Sequence, residues 1–289
     1  DVFEPDVENL RSHPAFLPPS LPLAGRPNVV GTWRGVGKGR SLLFNGHVDT
    51  VPPDPREQWT DGPFSGALHE GRLYGRGAAD MKSGLAAMTM AVATLVKLGR
   101  RPRGDVILEY VVDEEWTGLG TLACVERGYA ADAGICAETS NLEVTPAAIG
   151  RLWFTVELVG KPAGISARWE SVSAIEKGMK IVQAVDDLEK MRVADLQHPL
   201  YRDNRGALPC AVTMFDAGTF PSVTPERAVL KGSLGLMPYE RLEDVKRQLC
   251  EQIEHIALAD PWLRNHLPVV TFNEGLVAQG AEIPVDHPI

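Results

Sequence analysis

The sequence has few of the features that mark secreted, membrane-spanning or nucleic-acid-binding proteins. Its four cysteines are scattered without a C-x-x-C pair, which argues against a disulfide framework or a thiolate zinc site and favours a reducing, cytoplasmic compartment. No apolar run reaches the roughly 18 residues of a membrane span, and the opening residues lack a secretory signal pattern. Positive charge is also scarce: 29 Lys and Arg against 38 Asp and Glu give a formal charge of -9. We therefore expect neither nucleic acid nor a membrane surface as partner, but a small molecule or peptide.

The chain has the length and composition of a globular protein with more than one core. It contains 289 residues, of which 44% are hydrophobic and 23% are charged. Single hydrophobic cores stop growing at about 250–300 residues, so this length predicts two domains.

The first half of the chain alternates between strand and helix patterns. Short apolar runs at residues 41–45, 106–112 and 133–137 predict buried strands. Apolar residues at helical spacing predict an amphipathic helix over residues 82–98, and a second helix is expected around residues 121–127. Strands that alternate with helices indicate an α/β sheet.

After residue 150 the pattern changes to β-α-β-β-α-β, which is the ferredoxin-like unit. We therefore predict a first α/β domain over residues 1–150 and an inserted ferredoxin-like domain over residues 151–274. Residues 275–289 are expected to begin a return to the first domain that is cut off at the last residue. The elements predicted for the inserted domain are strand 152–159, helix 172–191, strands 211–215 and 227–236, helix 239–256 and strand 268–272.

Ionisable side chains follow three of the predicted strands at the points where those strands end. His47 ends the first strand, the Asp-Glu-Glu run at 113–115 follows the second, and Glu138 follows the third. Asp80 lies in a glycine-rich turn before a helix. Because ligands of an open α/β sheet bind beyond the carboxyl ends of its strands, we expect these groups to converge. One histidine with several carboxylates suits a borderline cation such as zinc, with cobalt or manganese as substitutes.

Asp49 lies two residues after His47 and hence on the same side of an extended backbone. Its carboxylate could accept the second N–H of the imidazole and fix the tautomer, as carboxylates behind metal-binding histidines do. Each of these residues taken singly also has an ordinary explanation, since polar residues after strands often form turns or helix caps. Three strand ends that carry such groups at once favour the binding site.

Three motifs give the chain a specific resemblance. The segments GHVDTVP (46–52), GRGAADMKSG (75–84) and DEE (113–115), the last with Gly118 and Gly120, occur in this order. Together they resemble the signatures of the M20 family of two-metal peptidases and deacylases, which includes acetylornithine deacetylase, succinyl-diaminopimelate desuccinylase and aminoacylase. The resemblance extends over essentially the whole chain. It implies a zinc-peptidase-like α/β catalytic domain with an inserted ferredoxin-like lid, and a homodimer formed through that lid.

The resemblance also implies a role for each residue of the predicted site. His47 and Glu138 would bind one zinc ion, Glu115 would bind a second, and Asp80 would bridge both. Glu114 would be the general base for a water molecule shared by the two cations. The peptide bond after Asp80 would be cis.

The chain departs from the family pattern at several places. The lid of the family has a histidine where this chain has Gly164, and that histidine reaches the partner subunit's site and steadies the oxyanion. An asparagine is often found near residues 210–213 and an arginine at the place of Gly235. The last metal-binding histidine of the family is expected beyond Ile289. These differences imply altered binding of the substrate's carboxylate and carbonyl oxygen.

The leading hypothesis is therefore hydrolysis of a C–N amide bond in a small N-acyl amino acid or peptide-like substrate. One alternative is a weakly active or non-hydrolytic family member that acts in binding and dimerisation, which the changes in the lid favour. Another is a hydrolase of an atypical C–N bond. The Glu114–Glu115 pair favours an enzyme, since a dead site has no chemical need for a base beside a metal ligand.

Overall fold

A computed structural model describes residues 1–19, 21–273 and 277–288, and the chain divides into two compact units. The first unit contains Asp1–Val144 and the second contains Thr145–Pro288. The division thus falls after residue 144, whereas the predicted domain boundary follows residue 150. Residues 277–288 belong to the second unit, and their assignment to a returning part of the first domain stays a prediction.

The described residues of the first unit form a five-stranded sheet, a small hairpin and three α-helices. Apart from a 3₁₀ turn at Arg56–Gln58 and a distorted helical turn at Ala78–Lys82, the elements in chain order are β1 (Val2–Phe3), α1 (Val7–Leu10), β2 (Asn28–Trp33), β3 (Leu42–His47), β4 (Ala67–His69), β5 (Arg72–Tyr74), α2 (Ser83–Lys97), β6 (Val106–Val111), α3 (Leu119–Glu126) and β7 (Ala133–Cys136).

The order of strands in this sheet is β1-β2-β6-β3-β7. β3 runs parallel to both β6 and β7, whereas β2 is antiparallel to β6. The predicted strands are present with ends that shift by one or two residues, and the α/β sheet is confirmed. β4 and β5 form an antiparallel hairpin inside the connection between β3 and α2.

Helices cover both faces of the sheet because side chains alternate along each strand. On one face, Leu85 and Met88 of α2 pack against partly buried residues of β3 and β6. On the other face, Cys124 of α3 packs with Ile107 and Val111 of β6. The apolar stripe predicted on α2 is buried only in its first two turns, since its last members, Leu95 and Val96, are exposed.

The second unit has the predicted β-α-β-β-α-β order at its centre. Its elements are β8 (Ala147–Ala148), β9 (Gly150–Val159), α4 (Ala174–Asp195), α5 (Asn204–Ala207), β10 (Cys210–Ala217), β11 (Arg227–Leu236), α6 (Leu242–Ala259), β12 (Val269–Phe272) and β13 (Ala281–Glu282), with 3₁₀ turns at Ile165–Glu170 and Leu263–Asn265.

The main sheet of the second unit is antiparallel, with the order β10-β11-β9-β12. α4 and α6 bury their apolar sides against it. The core combines residues of β9, β11, α4 and α6: Leu152, Phe154, Val156, Leu158, Leu230, Leu234, Leu236, Ile181, Val185, Leu188, Val245, Leu249 and Ile253.

No helix in the described parts of the chain combines the length and the apolar character that a membrane crossing requires.

Asp260, which follows α6, is a buried carboxylate with four hydrogen bonds. Its Oδ1 atom accepts from the backbone N–H groups of Trp262 and Leu263, and its Oδ2 atom accepts from Nζ of Lys177 and Lys180 at 2.8 and 2.7 Å. Burial by itself raises the pKa of this carboxyl, but the hydrogen bonds from the two lysines and the two backbone N–H groups together outweigh burial and hold the pKa well below its usual range.

Replacement of Asp260 by Asn should destabilise the protein by about 3 kcal/mol at pH 7, because the change leaves Lys177 without its anion. Since the pKa is lowered in the folded state, the stabilisation is present above the unfolded pKa near 4 and is lost as the pH falls below it. Denaturant unfolding of wild type and D260N between pH 7 and pH 2.5 measures the difference. Asp186→Asn, which removes an exposed partner of Lys190, should change stability by less than about 1 kcal/mol. A difference between wild type and D260N that stayed constant over this pH range would contradict the argument.

Candidate metal centre

Parallel strands bring the predicted site residues to one edge of the sheet in the first unit. His47 ends β3, the turn with Glu114 and Glu115 follows β6, and Glu138 follows β7. Because these three strands are neighbours that run in the same direction, their carboxyl ends meet. Asp80 reaches the same place from the turn before α2.

His47 lies at the centre of this group. Its side chain is 1% exposed, and its Nε2 atom lies 2.9 Å from Oδ1 of Asp80, 3.3 Å from Oε1 of Glu138 and 3.7 Å from Oε2 of Glu114. The three carboxylate side chains are between 37% and 54% exposed, so they face solvent as well as the imidazole. The structure therefore gathers these predicted residues around one buried ring.

Among the described residues, two sets of ligand atoms are close enough to hold a metal ion, and both include His47. One set adds Glu114 and Glu138, the other adds Asp80 and Glu115, and within each set the atoms lie within 4.8 Å of one another. The predicted ligands all occur in these sets, although the prediction placed His47 and Glu138 at one metal, Glu115 at the other and Asp80 at both. Glu114, the predicted base, lies among the ligand atoms. An imidazole with carboxylates is a donor set that fits a borderline divalent cation, and the individual roles stay predictions.

Asp49 connects the end of β3 to the turn that carries Glu114 and Glu115. Its carboxylate accepts hydrogen bonds from the backbone N–H groups of Glu114 and Glu115 at 3.2 and 3.3 Å. The Nδ1 atom of His47 lies 3.1 Å from the backbone carbonyl oxygen of Asp49, nearer than the carboxylate at 3.6 Å. The predicted contact with the imidazole is thus made by the backbone of Asp49, and its side chain holds the neighbouring turn.

The backbone around Asp80 departs from helical geometry. The Asp80–Met81 peptide bond is cis, as the resemblance implied, and Asp80 itself is extended, with φ -109° and ψ 101°. Gly77 begins this turn at φ 80°, and a Cβ atom there would overlap the side chain of Thr50. Glycine is therefore required at this position both by backbone conformation and by the close approach of the loop after His47.

The electrostatics of the site follow from half-buried carboxylates that crowd one imidazole. Burial lowers the pKa of His47, but the carboxylates of Glu114, Glu138, Asp80 and Asp49 together outweigh burial and raise it. Burial is also the main cause that raises the pKa values of Glu114 and Glu138, and neighbouring carboxylates add to it. A bound divalent cation would oppose these shifts, because positive charge favours neutral imidazole and ionised carboxylates.

The sequence analysis did not select a polar pair that lies on the same strands as the site. Asn45 of β3 and Glu109 of β6 are directly paired across the strands, two residues before His47, and Nδ2 of Asn45 donates to Oε2 of Glu109 at 2.8 Å. Glu109 is 3% exposed, and burial raises its pKa. A charged residue inside the apolar run 106–112 was the signal that could have revealed the pair.

Two glycines of the second unit stand where the resemblance implies polar side chains. At Gly235 an added Cβ atom would lie 2.5 Å from the backbone oxygen of Ala207, so no side chain fits unless the backbone moves. At Gly164 an added Cβ atom would meet only Oγ of Ser166, at 3.9 Å, among the described residues. Gly235 thus has a packing cause, and Gly164 has room for a larger residue.

Replacement of Gly84 by Ala should disturb the site although Ala is the better helix former. The added Cβ atom would overlap the backbone oxygen of Ala137, the residue before Glu138. We expect a loss of about 1–3 kcal/mol in stability and a loss of about 10-fold or more in metal affinity. Unfolding curves and zinc titrations measure these changes. Gly134→Ala is the matched control on β7, since its Cβ atom would meet only an oxygen of Leu43 at 3.9 Å. Equal stability and equal zinc affinity of Gly84→Ala and Gly134→Ala would contradict the prediction.

Comparison with known proteins agrees with the motifs and the fold. Residues 43–284 match the sequence profile of peptidase family M20/M25/M40. N-formyl-4-amino-5-aminomethyl-2-methylpyrimidine deformylase of Halalkalibacterium halodurans is 34% identical over 257 residues, which are 84% of this chain and 59% of that protein. Succinyl-diaminopimelate desuccinylase of Paracoccus denitrificans is 44% identical over 122 residues, which are 40% of this chain and 32% of that protein.

Solved structures also share the fold. Aminopeptidase PepT from Bacillus cereus superposes with a TM-score of 0.67 at 21% identity, over 99% of this chain and 69% of that one. This likeness concerns the fold alone. The chain spans about three fifths of the length of the deformylase relative. The profile match over most of the chain and the identity to that relative confirm the resemblance, and the chain belongs to the M20 peptidase family.

Proposed function

We propose that this chain carries the catalytic site of a metal-dependent hydrolase that cleaves a C–N amide bond in a small substrate. The observation that carries the proposal is the convergence of Asp80, Glu114 and Glu138 on the buried ring of His47. Such a group of one imidazole and several carboxylates is costly without a cation, since its negative charges repel one another in partly desolvated space.

The site would hold two divalent cations, most simply zinc, with cobalt or manganese as substitutes. His47, Asp80, Glu115 and Glu138 are the residues proposed to bind them, with Asp80 shared between the two. When bound, the cations would lower the pKa of water and polarise the amide carbonyl.

Glu114 is proposed as the general base. Its carboxylate lies 3.7 Å from the imidazole of His47, and burial raises its pKa toward the range in which a carboxylate takes up and gives back a proton. The N–H groups of its own peptide and the next one are held by Asp49, whose proposed role is therefore to aim the base. Glu114 would accept the proton of the attacking water and deliver it to the leaving amine.

An N-formyl group on a small amine is the substrate class that the comparisons support best. The deformylase relative matches 84% of the chain, whereas the desuccinylase match covers 40% of it. The compound in the name of the deformylase has a pyrimidine ring and no carboxylate. An enzyme that acts on such a compound does not need an arginine to bind a substrate carboxylate. This agrees with Gly235, where packing leaves no room for an arginine side chain.

The second unit is proposed as the inserted ferredoxin-like lid and as the surface of a homodimer. The strand order β10-β11-β9-β12 supports the ferredoxin-like assignment. β10 forms one edge of that sheet, and it exposes Met214 and Phe215, while Phe220 in the following turn is 63% exposed. A second copy would cover these apolar side chains and the unpaired strand edge. Sedimentation velocity tests for the dimer.

The four free cysteines agree with the proposed cytoplasmic location.

Glu114→Gln is the first test of the catalytic role, because the amide keeps the shape of the side chain but cannot take up the proton. We expect turnover to fall by about 10²–10⁴-fold while zinc content stays near the wild-type value. Metal analysis and initial rates on the same preparation separate the two effects. Parallel loss of zinc and activity would make Glu114 a ligand, as its place beside Glu138 in one ligand set allows.

Asp80→Ala is the contrasting variant. A carboxylate shared by both cations is required by each of them, so this change should remove zinc and turnover together. A full zinc content in Asp80→Ala would rule out the shared role.

A substrate panel tests the reaction itself and the alternatives to it. N-formyl-4-amino-5-aminomethyl-2-methylpyrimidine, an N-succinyl amino acid, an N-acetyl amino acid and a dipeptide should be assayed with and without added zinc, cobalt or manganese. We expect the N-formyl compound to give the highest kcat/KM and a chelator to abolish it. Binding of zinc without hydrolysis of any compound would favour the non-hydrolytic alternative, which the glycine at 164 already supports.

A further inference from the structure

The turn that carries Glu114 and Glu115 is closed by a buried side chain from another strand. This turn runs from the end of β6 to the start of α3. Asn28, the first residue of β2, is 0% exposed and lies against both ends of the turn. Its Oδ1 atom accepts from the N–H of Val112 at 3.1 Å, and its Nδ2 atom donates to the carbonyl oxygen of Gly120 at 2.7 Å.

The amide of Asn28 has little freedom to do anything else. Its Nδ2 atom also donates to Sγ of Cys124 at 3.4 Å, so both of its N–H groups are used. The two ends of the turn are joined directly as well, because the N–H of Gly120 donates to the oxygen of Val112 at 3.1 Å. Asn28, Val112 and Gly120 thus form a closed ring of hydrogen bonds, which we call the clasp.

Only glycine fits at position 120 of the clasp. A Cβ atom added to Gly120 would lie 2.9 Å from Oδ1 of Asn28 and would overlap the oxygen of Val112. Inside the turn, the N–H groups of Thr117 and Gly118 both donate to the carbonyl oxygen of Asp113. The turn is therefore anchored at its base by Asn28 and tied together above it.

The other side of the same turn is held by Asp49, which accepts the N–H groups of Glu114 and Glu115. Asn28 on β2 and Asp49 after β3 thus grip one turn from two strands that are separated by β6. Only the Asp49 contact involves the peptides of the carboxylates themselves. Asn28 acts at the residues before and after them, and so determines where the turn leaves the sheet and where it enters α3.

We propose that Asn28 is a positioning residue for Glu114 and Glu115: by clasping the base of their turn, it sets the distance of both carboxylates from His47. The inference rests on the proposed function, in which these two groups are the base and a ligand. If Asn28 only stabilised the core, its replacement would lower the free energy of unfolding but would leave the zinc affinity of the site unchanged. The two roles make different predictions for a substitution that breaks the clasp and for one that weakens the core beside it.

Asn28→Ala breaks the clasp, and Cys124→Ala is the matched control. Cys124 is 0% exposed and touches the same amide, but its loss leaves the contacts of Asn28 with Val112 and Gly120 in place. Asn28→Asp is a second, more conservative variant, since it keeps the acceptor for Val112 and loses the donor to Gly120. It keeps the test open if Asn28→Ala does not fold.

Zinc titration of the 289-residue chain, with the ion alone as the probe, is the first measurement. We expect Asn28→Ala and Asn28→Asp to bind zinc about 10–100-fold more weakly than wild type, as for other residues that orient metal ligands, and Cys124→Ala to stay within about 3-fold. Hydrogen exchange of the metal-free chain is the second measurement. The amides of Thr117, Gly118 and Gly120 should exchange about 10-fold faster or more in the Asn28 variants. The amides in the middle of β6 should keep the same ranking of exchange rates that they have in the wild type.

The outcomes separate this inference from the proposed function. If wild type binds no zinc, the proposed function fails, and the exchange pattern still decides whether Asn28 holds the turn. If wild type binds zinc but the Asn28 variants match Cys124→Ala in zinc affinity, the positioning role is wrong while the proposed function stands. Uniformly faster exchange throughout the first unit in the Asn28 variants would reduce Asn28 to a residue that stabilises the core.

Discussion

The concentration of carboxylates around one imidazole is the constraint on which the rest of the first unit depends. Asp49, Asp80, Glu114 and Glu138 all raise the pKa of His47 through charge or hydrogen bonding. Such a cluster repels itself: burial raises the pKa values of Glu114 and Glu138, and the neighbouring carboxylates raise them further. The chain must therefore hold these side chains in place by contacts that do not depend on their charge.

Backbone hydrogen bonds and close packing supply these contacts. Asp49 and Asn28 hold the turn of Glu114 from two sides, both through main-chain groups. Glycines at 77, 84 and 120 allow segments to approach so closely that a single Cβ atom would overlap a neighbour. The residues that form the site are few, whereas the residues that position them are spread over the sheet, the loop after β3 and both flanking helices.

The second unit is stabilised in a different way. It has a continuous apolar core under two helices, and its buried charges are neutralised within the unit. Asp260 is matched by Lys177 and Lys180, and Arg192 on α4 is matched by Glu240. Three of its exposed apolar side chains, those of Met214, Phe215 and Phe220, lie on β10 and in the turn that follows, where the proposed partner copy would cover them. Asp260 and Arg192 of the second unit thus have partners of opposite charge, whereas the candidate metal centre of the first unit gathers several carboxylates around one imidazole.

Much of the site could be predicted from the sequence because the relevant interactions are local in the chain. Strand periodicity placed β3, β6 and β7 to within one or two residues, and the polar residues after these strands marked the edge where they meet. The motifs around His47, Asp80 and Glu114 indicated the family. Asn28 escaped this reasoning, because an amide at the start of a strand has no evident role until its hydrogen-bond partners are known. Glu109 was marked by its charge inside an apolar run, but its partner Asn45 was identified only by the structure.

The sequence by itself determined the order of elements, the family and the identity of the side chains that surround His47. Only the tertiary structure decided which atoms meet: that the backbone of Asp49 faces the imidazole while its carboxylate holds the next turn, that Glu114 lies among the ligand atoms, and that Gly235 is imposed by packing. The physical reason is the short range of these effects. Hydrogen bonds and steric overlap change within a few tenths of an ångström, and such distances between residues far apart in the chain are set by the packing of whole elements.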